Sequence, residues 1–458
     1  MVNQLQHIQT RVVKANAERD FPEVTAKGGL VLAQKAAQNI NLWKDAKRLL
    51  PSRKDPKQGF PTEVATCAVV HGLLSGGRGF QATEALREDK PILKMLGMSA
   101  APSAETVEEV VKSVAERQDQ VRHINLLLRC QSKKIMKDMS KKQLCNCHGF
   151  FPLWGDGTVL EVTGKNFDSI KTISGKVGQL CGGVFAGPVA GAIRFALKGE
   201  GETTVVIEEM EKVFHEVVKP LRLEKDALVL LDSLYGNEPI LERIEKFRHS
   251  HYVVGVSGLK AAVGAMAALP ESSWQDTGEI KSLSWDASGV AVAYVQCEEW
   301  KKKRTMVCRR FRRKDEMIWE YRAVVTDLEE DDRRIAAMMD NLNLSYPEAI
   351  WRLYAFKQGM ENYWKEMLID MGLHHPPCAR AKINEFFYGL GAVAWNLSVA
   401  LRRLAFTGRQ AGMRLWRLRR DVFDLSAMAV HHARTVVMRF VDSRHSRVAQ
   451  LLSAMGRL

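Results

Sequence analysis

The chain has 458 residues, 46% of them hydrophobic and 26% charged, which is the balance of a globular protein and excludes wholesale disorder, a fibrous repeat or a disulfide-dense miniature. Its eight cysteines follow no framework spacing and read as reduced thiols of a cytosolic protein. Lysine and arginine outnumber aspartate and glutamate by 67 to 53, a net +14, and that surplus favours a polyanionic partner.

Residues 1–148 read as helical. Met1–Asp20 is polar, with no apolar run of the kind a secretory signal needs. Leu30–Leu50 is amphipathic and ends before Pro51, Val64–Leu74 is apolar and stopped by Gly76-Gly77, and Ala104–Met139 follows Ser103 as N-cap. The pattern changes near Phe150. FPLWGDGTVLEVTG alternates as a strand does, and Gly178–Phe195 with Ala196–Gly199 reads as two more strands in a glycine-rich meander. Thr203–Val218 returns to a helical period and ends at Pro220. Ala227–Leu231 is a continuous apolar run closing on Asp232, as a central buried strand would. Pro239–Arg248 is a helix and His251–Val256 a strand.

Between 257 and 328 four short strands are expected: Ile280–Trp285, Val290–Gln296, Arg304–Phe311 and Trp319–Val325. From Pro347 the chain reads as helical almost to its end. This order predicts an α/β core (149–256) carrying a grafted β subdomain (257–328), completed by helices (329–405). A helical N-terminal DNA-binding region (1–148) and a basic helical C-terminal region (406–458) flank it. Phe386–Leu404, the longest apolar stretch, is broken by Asn396, Arg402 and Arg403 and is too short and polar to span a bilayer.

Positive charge concentrates in two places. Arg380–Leu458 holds 14 Lys+Arg against Glu385, Asp421, Asp424 and Asp442. Lys301–Lys314, KKKRTMVCRRFRRK, holds nine bases in fourteen residues, Arg309, Arg310, Arg312 and Arg313 among them, with Trp300, Phe311, Trp319 and Tyr321 around it. Bases that neutralise phosphates beside rings that stack on an unpaired nucleotide suit DNA near a melted end. Taken alone, the run also fits a solvated hairpin face, and Trp300 and Trp319 also fit simple packing on their hairpins.

Two carboxylates stand out. Asp156 lies in the first core strand, between Trp154-Gly155 and Gly157-Thr158, and Asp232 ends VLLD. On neighbouring strands they would emerge side by side and need a cation between them; hard oxygen ligands with water left over suit Mg²⁺ or Mn²⁺. A helix crossing the same sheet edge should supply the third. In WRLYAFKQGMENYWKEM, residues Tyr354, Lys357, Glu361 and Lys365 are spaced 3, 4 and 4 and fall on one helical stripe, which taken alone also fits a surface helix with Lys357–Glu361–Lys365 ion pairs. Cys145-Asn146-Cys147-His148 lacks the second pair a zinc site wants, and no GKS or GKT follows a strand, so neither zinc nor ATP is expected.

WGDGTVLEVTG, VLLDSLYGN, AVVTDL and YAFKQGMENYWKEM, in that order around a β-rich insertion, resemble the DDE transposases of bacterial insertion sequences, most closely the IS-thirteen-eighty branch of the IS-four superfamily. TEVATCAVVHGLLSGGRGFQATEALREDKPILKMLGM and AKINEFFYGLGAVAWNLSVALRRL extend the resemblance over about residues 30 to 405, the latter matching two asparagines with Asn384 and Asn396. The resemblance implies an RNase H-like catalytic core in which Asp156, Asp232 and Glu361 bind two Mg²⁺ (or Mn²⁺) ions. It implies cleavage and strand transfer of double-stranded DNA at terminal inverted repeats, by cut and paste, with a homodimer holding two ends and a place in the bacterial cytoplasm at the nucleoid rather than a membrane. Of the superfamily's tyrosine–arginine–glutamate–lysine signature, Tyr354 and Glu361 match; Lys357 replaces the arginine, and Leu368 stands where the lysine would fall, which makes Lys365 the expected phosphate contact. A non-catalytic regulator derived from such an enzyme, or another RNase H-fold nuclease, is the alternative, and the three intact acids favour the enzyme.

Overall fold

The computed structural model describes residues 9–14, 24–52, 59–117, 122–163, 166–173, 175–256, 260–277, 285–297, 300–313, 317–432, 435–440 and 446–458. Its centre is a ten-stranded mixed sheet flanked by helices. The strands are β3 (Phe151–Glu161), β4 (Ile170–Ile173), β5 (Lys176–Ala186), β6 (Val189–Phe195), β7 (Ala227–Leu231), β8 (His251–Val256), β9 (Gln275–Asp276), β10 (Trp285–Val295), β11 (Arg304–Arg313) and β12 (Trp319–Thr326). They lie in the order β4-β5-β3-β7-β8-β12-β11-β10-β9, with β6 paired to β5. Only β3–β7 and β7–β8 are parallel. Every residue of β7 is buried, because a strand with parallel neighbours on both sides and helices over its faces has no solvent side, and ALVLL supplies a side chain for each buried place.

The 257–328 stretch differs from the grafted subdomain expected. β12 pairs antiparallel with β8 from Ala323↔Val256 to Thr326↔Val253, so the β12-β11-β10-β9 meander continues the central sheet. Of the expected strand at 280–285, only Trp285 falls within the described residues, where it opens β10. The chain ends differ too. Gln9–Lys14 (β1), Val24–Thr25 (β2), Ala427–His432 (β13) and Thr435–Phe440 (β14) form a second sheet, β1-β14-β13-β2, in stretches expected to be helical. β1 runs parallel to β14, a pairing between opposite ends of the chain that no local periodicity signals. Among the described residues no helix is long and apolar enough to cross a membrane.

The helix Ala381–Ala405 is buried along most of its length and packs against β6. β6 lies beside β5 alone, so half its backbone groups would be orphaned in the interior. Buried side chains satisfy them. Asn396 accepts from the Ala190 N–H at 2.7 Å and donates to its carbonyl at 2.8 Å, Asn125 accepts from Ile193 N–H at 3.0 Å, and Glu385 accepts from Phe195 N–H at 3.0 Å. Asn384 donates through its side-chain amide to the Gln179 side-chain oxygen and to the Cys378 backbone carbonyl, each at 2.7 Å. The two asparagines singled out by sequence therefore hold the long helix to the sheet.

Glu385 is the strained member of this set. Burial pushes its carboxyl up to about 7, against the pull of Arg122 and of the Phe195 N–H. A carboxyl whose folded pKa lies above its unfolded 4.5 contributes stability that is full below 4.5 and is lost as pH rises through about 7. Glu385→Gln is therefore expected to gain on wild type by on the order of 1–3 kcal/mol between pH 5 and pH 8, read from urea midpoints. A pH-independent difference would show that burial does not oppose this charge.

Candidate active site

The parallel register sets Phe151 beside Ala227 and Trp154 beside Leu230; two further steps bring Asp156 level with Asp232. Alternation along β3 then sorts the faces. A Cβ on Gly155 would stand 2.3 Å from Val206 and one on Gly157 2.4 Å from the Glu202 carboxyl carbon, both residues of the helix Glu202–Val213. On the other face, Gly183, the partner of Asp156 across the β3–β5 ladder, lies under Trp364, whose ring a Cβ would meet at 2.7 Å. Glycine at 155, 157 and 183 lets a helix lie directly on each side of the strand that carries Asp156.

The close approach at Gly157 admits a third acid. Glu202, the first residue of its helix, accepts from Gly157 N–H at 3.1 Å and from the Tyr235 hydroxyl at 3.0 Å. One carboxylate oxygen from each of Asp156, Glu202 and Asp232 lies within 4.8 Å of the others, and all three residues are half-buried. Burial raises the Glu202 carboxyl above the usual range and the two aspartates add to that, against the hydrogen bonds from Tyr235 and Gly157. Tyr235, fully buried, has its hydroxyl pushed well above its ordinary pKa by burial first and then by Glu202, so it stays a donor. Asp232 is oriented by the Leu234 N–H at 2.9 Å. Three half-buried carboxylates this close fit a hard divalent cation, with positions left for water and phosphate oxygens.

Glu202 was missed in the sequence because an acid in the first turn of a helix is usual as a partner of the helix dipole. Its one signal is its place directly after Gly199–Gly201, at the entry to a helix that must cross a glycine-rich strand. The expected third acid, Glu361, sits on the helix Gln358–Lys365; its side chain lies outside the described residues. That helix and the turn before it are docked on β3 and β5 by aromatic contacts: in the turn Phe356 stacks on Trp154 at 5.6 Å, and on the helix Tyr363 meets Trp154 edge-on at 5.4 Å and Trp364 meets Phe185 edge-on at 5.9 Å.

The stripe of Tyr354, Lys357, Glu361 and Lys365 is not one helix. Tyr354 belongs to the helix Tyr346–Ala355, Lys357 lies in the turn that follows, and the other two stand on the next helix. The break turns Lys357 to the acids, its ammonium 3.9 Å from Asp156 Oδ2 and 4.0 Å from Asp232 Oδ2. Tyr354 presents its hydroxyl 2.5 Å from where a Gly255 Cβ would stand, and burial, with Asp232 adding to it, pushes that hydroxyl up to about 12. Lys365 is exposed.

The basic run is more inwardly engaged than its composition suggests. Lys301 pairs with Glu242, Lys302 with Glu245, and buried Arg304 with both Glu238 and Glu245. Arg310 is buried, pairs with Glu271, and lies between the rings of Trp274 and Trp319 at 4.5 and 4.2 Å. Arg312 covers Trp319 at 5.0 Å and Arg309 covers Phe311 at 4.8 Å; the Arg313 side chain lies outside the described residues. Trp300 is buried and donates to the Gly236 carbonyl at 3.4 Å. Cys145 and Cys147 are buried, and burial raises both thiols.

Gly157→Ala is expected to keep the fold at a cost of about 1–3 kcal/mol while pushing the Glu202 carboxyl off its place. Isothermal titration with Mn²⁺ should show binding weakened about tenfold or more; unchanged binding would mean Glu202 is no part of the cation site.

A family model described as Transposase DDE domain group 1 matches residues 188–458, more than half of the chain. The matched span holds Glu202, Asp232 and Glu361; Asp156 precedes it and reaches the site through the sheet. No curated protein matches the chain.

Proposed function

The chain belongs to the Transposase DDE domain group 1 family, and from that premise we propose that it binds the terminal inverted repeats of an insertion sequence and moves the element by cut and paste. The observation that carries this reading is the convergence of Asp156, Asp232 and Glu202 at one sheet edge beside Lys357. We assign Asp156, Asp232 and Glu361 as ligands of two Mg²⁺ or Mn²⁺ ions, with Glu202 beside them. Such ions supply an activated water and charge neutralisation at the leaving oxygen.

The chain's own residues then bind and orient. Lys357, drawn to a DNA phosphate, and exposed Lys365 hold the backbone as point charges. Tyr354 keeps its proton at neutral pH, since its pKa is pushed up to about 12, and donates to a phosphate oxygen instead of acting as a base. We assign Arg309, Arg312 and Arg313 to contacts with the flanking duplex, whereas Arg310, held by Glu271, steadies Trp319 as a stacking surface. Water attacks phosphorus and the 3′-oxygen leaves with a proton; the freed 3′-hydroxyl later attacks a target phosphodiester, whose own 3′-oxygen leaves. Two ends have to be held together for that, and two copies of the chain are the simplest means. The resemblance to the IS-thirteen-eighty branch supports a bacterial element.

Asp156→Asn, Asp232→Asn and Glu361→Gln should each abolish Mg²⁺-dependent nicking of a duplex carrying the element's end, by at least about a thousandfold, while gel-shift affinity for that end stays within about threefold. Cleavage equal to wild type would refute the assignment. Lys357→Ala should lower affinity for the same duplex and flatten the slope of log K against log salt by about 1; an unchanged slope would mean that Lys357 touches no phosphate.

A further inference from the structure

Lys357 stands where its role in DNA binding alone does not require it. Its ammonium lies 3.9 Å from Asp156 Oδ2 and 4.0 Å from Asp232 Oδ2. Both distances are beyond a good hydrogen bond, so the ammonium is held by the field of two carboxylates instead of by a bond to either. Any ion held by both Asp156 and Asp232 would compete with the ammonium for that space. The lysine backbone is fixed: its N–H donates to the Tyr354 carbonyl at 3.0 Å, and the preceding Phe356 is stacked on Trp154. The side chain above it is a flexible four-carbon stem that can withdraw while the turn stays in place.

We infer that Lys357 is a tethered counter-cation, which occupies the acidic site on the bare protein, opposes divalent ions there, and yields when a DNA phosphate takes up its ammonium. The inference rests on the reading of Asp156 and Asp232 as metal ligands. Without DNA, a divalent ion on these carboxylates would meet the lysine charge that lies about 4 Å from them, and that repulsion would subtract from affinity. With DNA the lysine charge is neutralised by a phosphate and the acids are left to the metal. Metal and DNA thereby strengthen each other's binding, and the coupling is reciprocal. The cutting site is assembled on its substrate and is kept underloaded elsewhere. Lys357 is in this respect a positioning residue, acting on the cation site through charge.

The test is Mn²⁺ binding to the full chain at low salt, by isothermal titration and by electron paramagnetic resonance of free Mn²⁺, with no DNA present. Lys357→Met, which keeps the stem and removes the charge, should bind Mn²⁺ about tenfold more tightly than wild type. Lys357→Arg, which keeps the charge, should stay within about twofold to threefold of wild type. Adding a short duplex of arbitrary sequence should tighten Mn²⁺ binding to wild type and have a smaller effect on Lys357→Met. Equal or weaker binding by Lys357→Met, or an equal duplex effect in both proteins, would overturn the inference. Asp156→Asn and Asp232→Asn separate the two levels. If they bind Mn²⁺ like wild type, the metal-ligand reading itself fails. If they lose binding while Lys357→Met stays unchanged, only the counter-cation inference fails.

Discussion

Like charges do not gather at a sheet edge without cause, and the rest of this protein is arranged around that cost. Two carboxylates about 5 Å apart repel by on the order of 3 kcal/mol at an effective dielectric constant near 20. The fold meets the repulsion in several ways at once. Backbone N–H groups of Gly157 and Leu234 and the Tyr235 hydroxyl donate to the acids, and the Lys357 ammonium stands against Asp156 and Asp232. None of these removes the excess negative charge. Three acids and one lysine leave about −2, which is the condition under which a divalent ion is drawn in and a phosphate can follow it.

Holding the acids in place takes rigidity in the elements that carry them. Asp156 and Asp232 are set by adjacent parallel strands, where a slip of one residue would send every side chain of ALVLL to the opposite face and take Asp232 out of level with Asp156. Glu202 is set by a helix that touches β3 where glycine leaves room. Behind them the sheet is closed on its β6 side by Asn396, Asn125 and Glu385, which bond to strand backbone as a neighbouring strand would. A buried, satisfied edge of this kind stops the sheet without exposing it to another chain. The long helix Ala381–Ala405 therefore contributes to the site from a distance, by keeping the layer that carries Asp156 in one position.

Much of this was legible in the sequence, and the rest failed for identifiable reasons. Asp156 and Asp232 could be paired because each sits in a strand of unmistakable pattern. The helix supplying a third acid was sought after the insertion, where the spacing of Tyr354, Lys357, Glu361 and Lys365 pointed, while the helix bearing Glu202 runs between the two aspartates and looks ordinary. The single stripe through Tyr354 and Lys365 assumed unbroken helical phase; Phe356 docks on Trp154, the helix breaks there, and Lys357 turns inward as a result. The second sheet was invisible because its strands are short and β1 and β2 pair with β14 and β13 across almost the whole chain. The meander β12-β11-β10-β9 was seen strand by strand, but its attachment to β8 is a tertiary choice that local pattern does not encode.

Net charge needs the same care as periodicity. A count of +14 suggests a broad cationic surface, yet much of the basic sequence is turned inward. Arg304 and Arg310 are buried against glutamates, Arg402 is buried on Glu366, and Arg419 spends its donors on the carbonyls of Leu73, Leu74 and Asp370. Guanidinium groups used this way join segments far apart in the chain and add nothing to a phosphate track. What remains for DNA is a smaller set of exposed cations, including Lys365, together with Lys357 beside the acids. Both signs are presented within a few ångströms of one another at the edge where β3 and β7 run side by side.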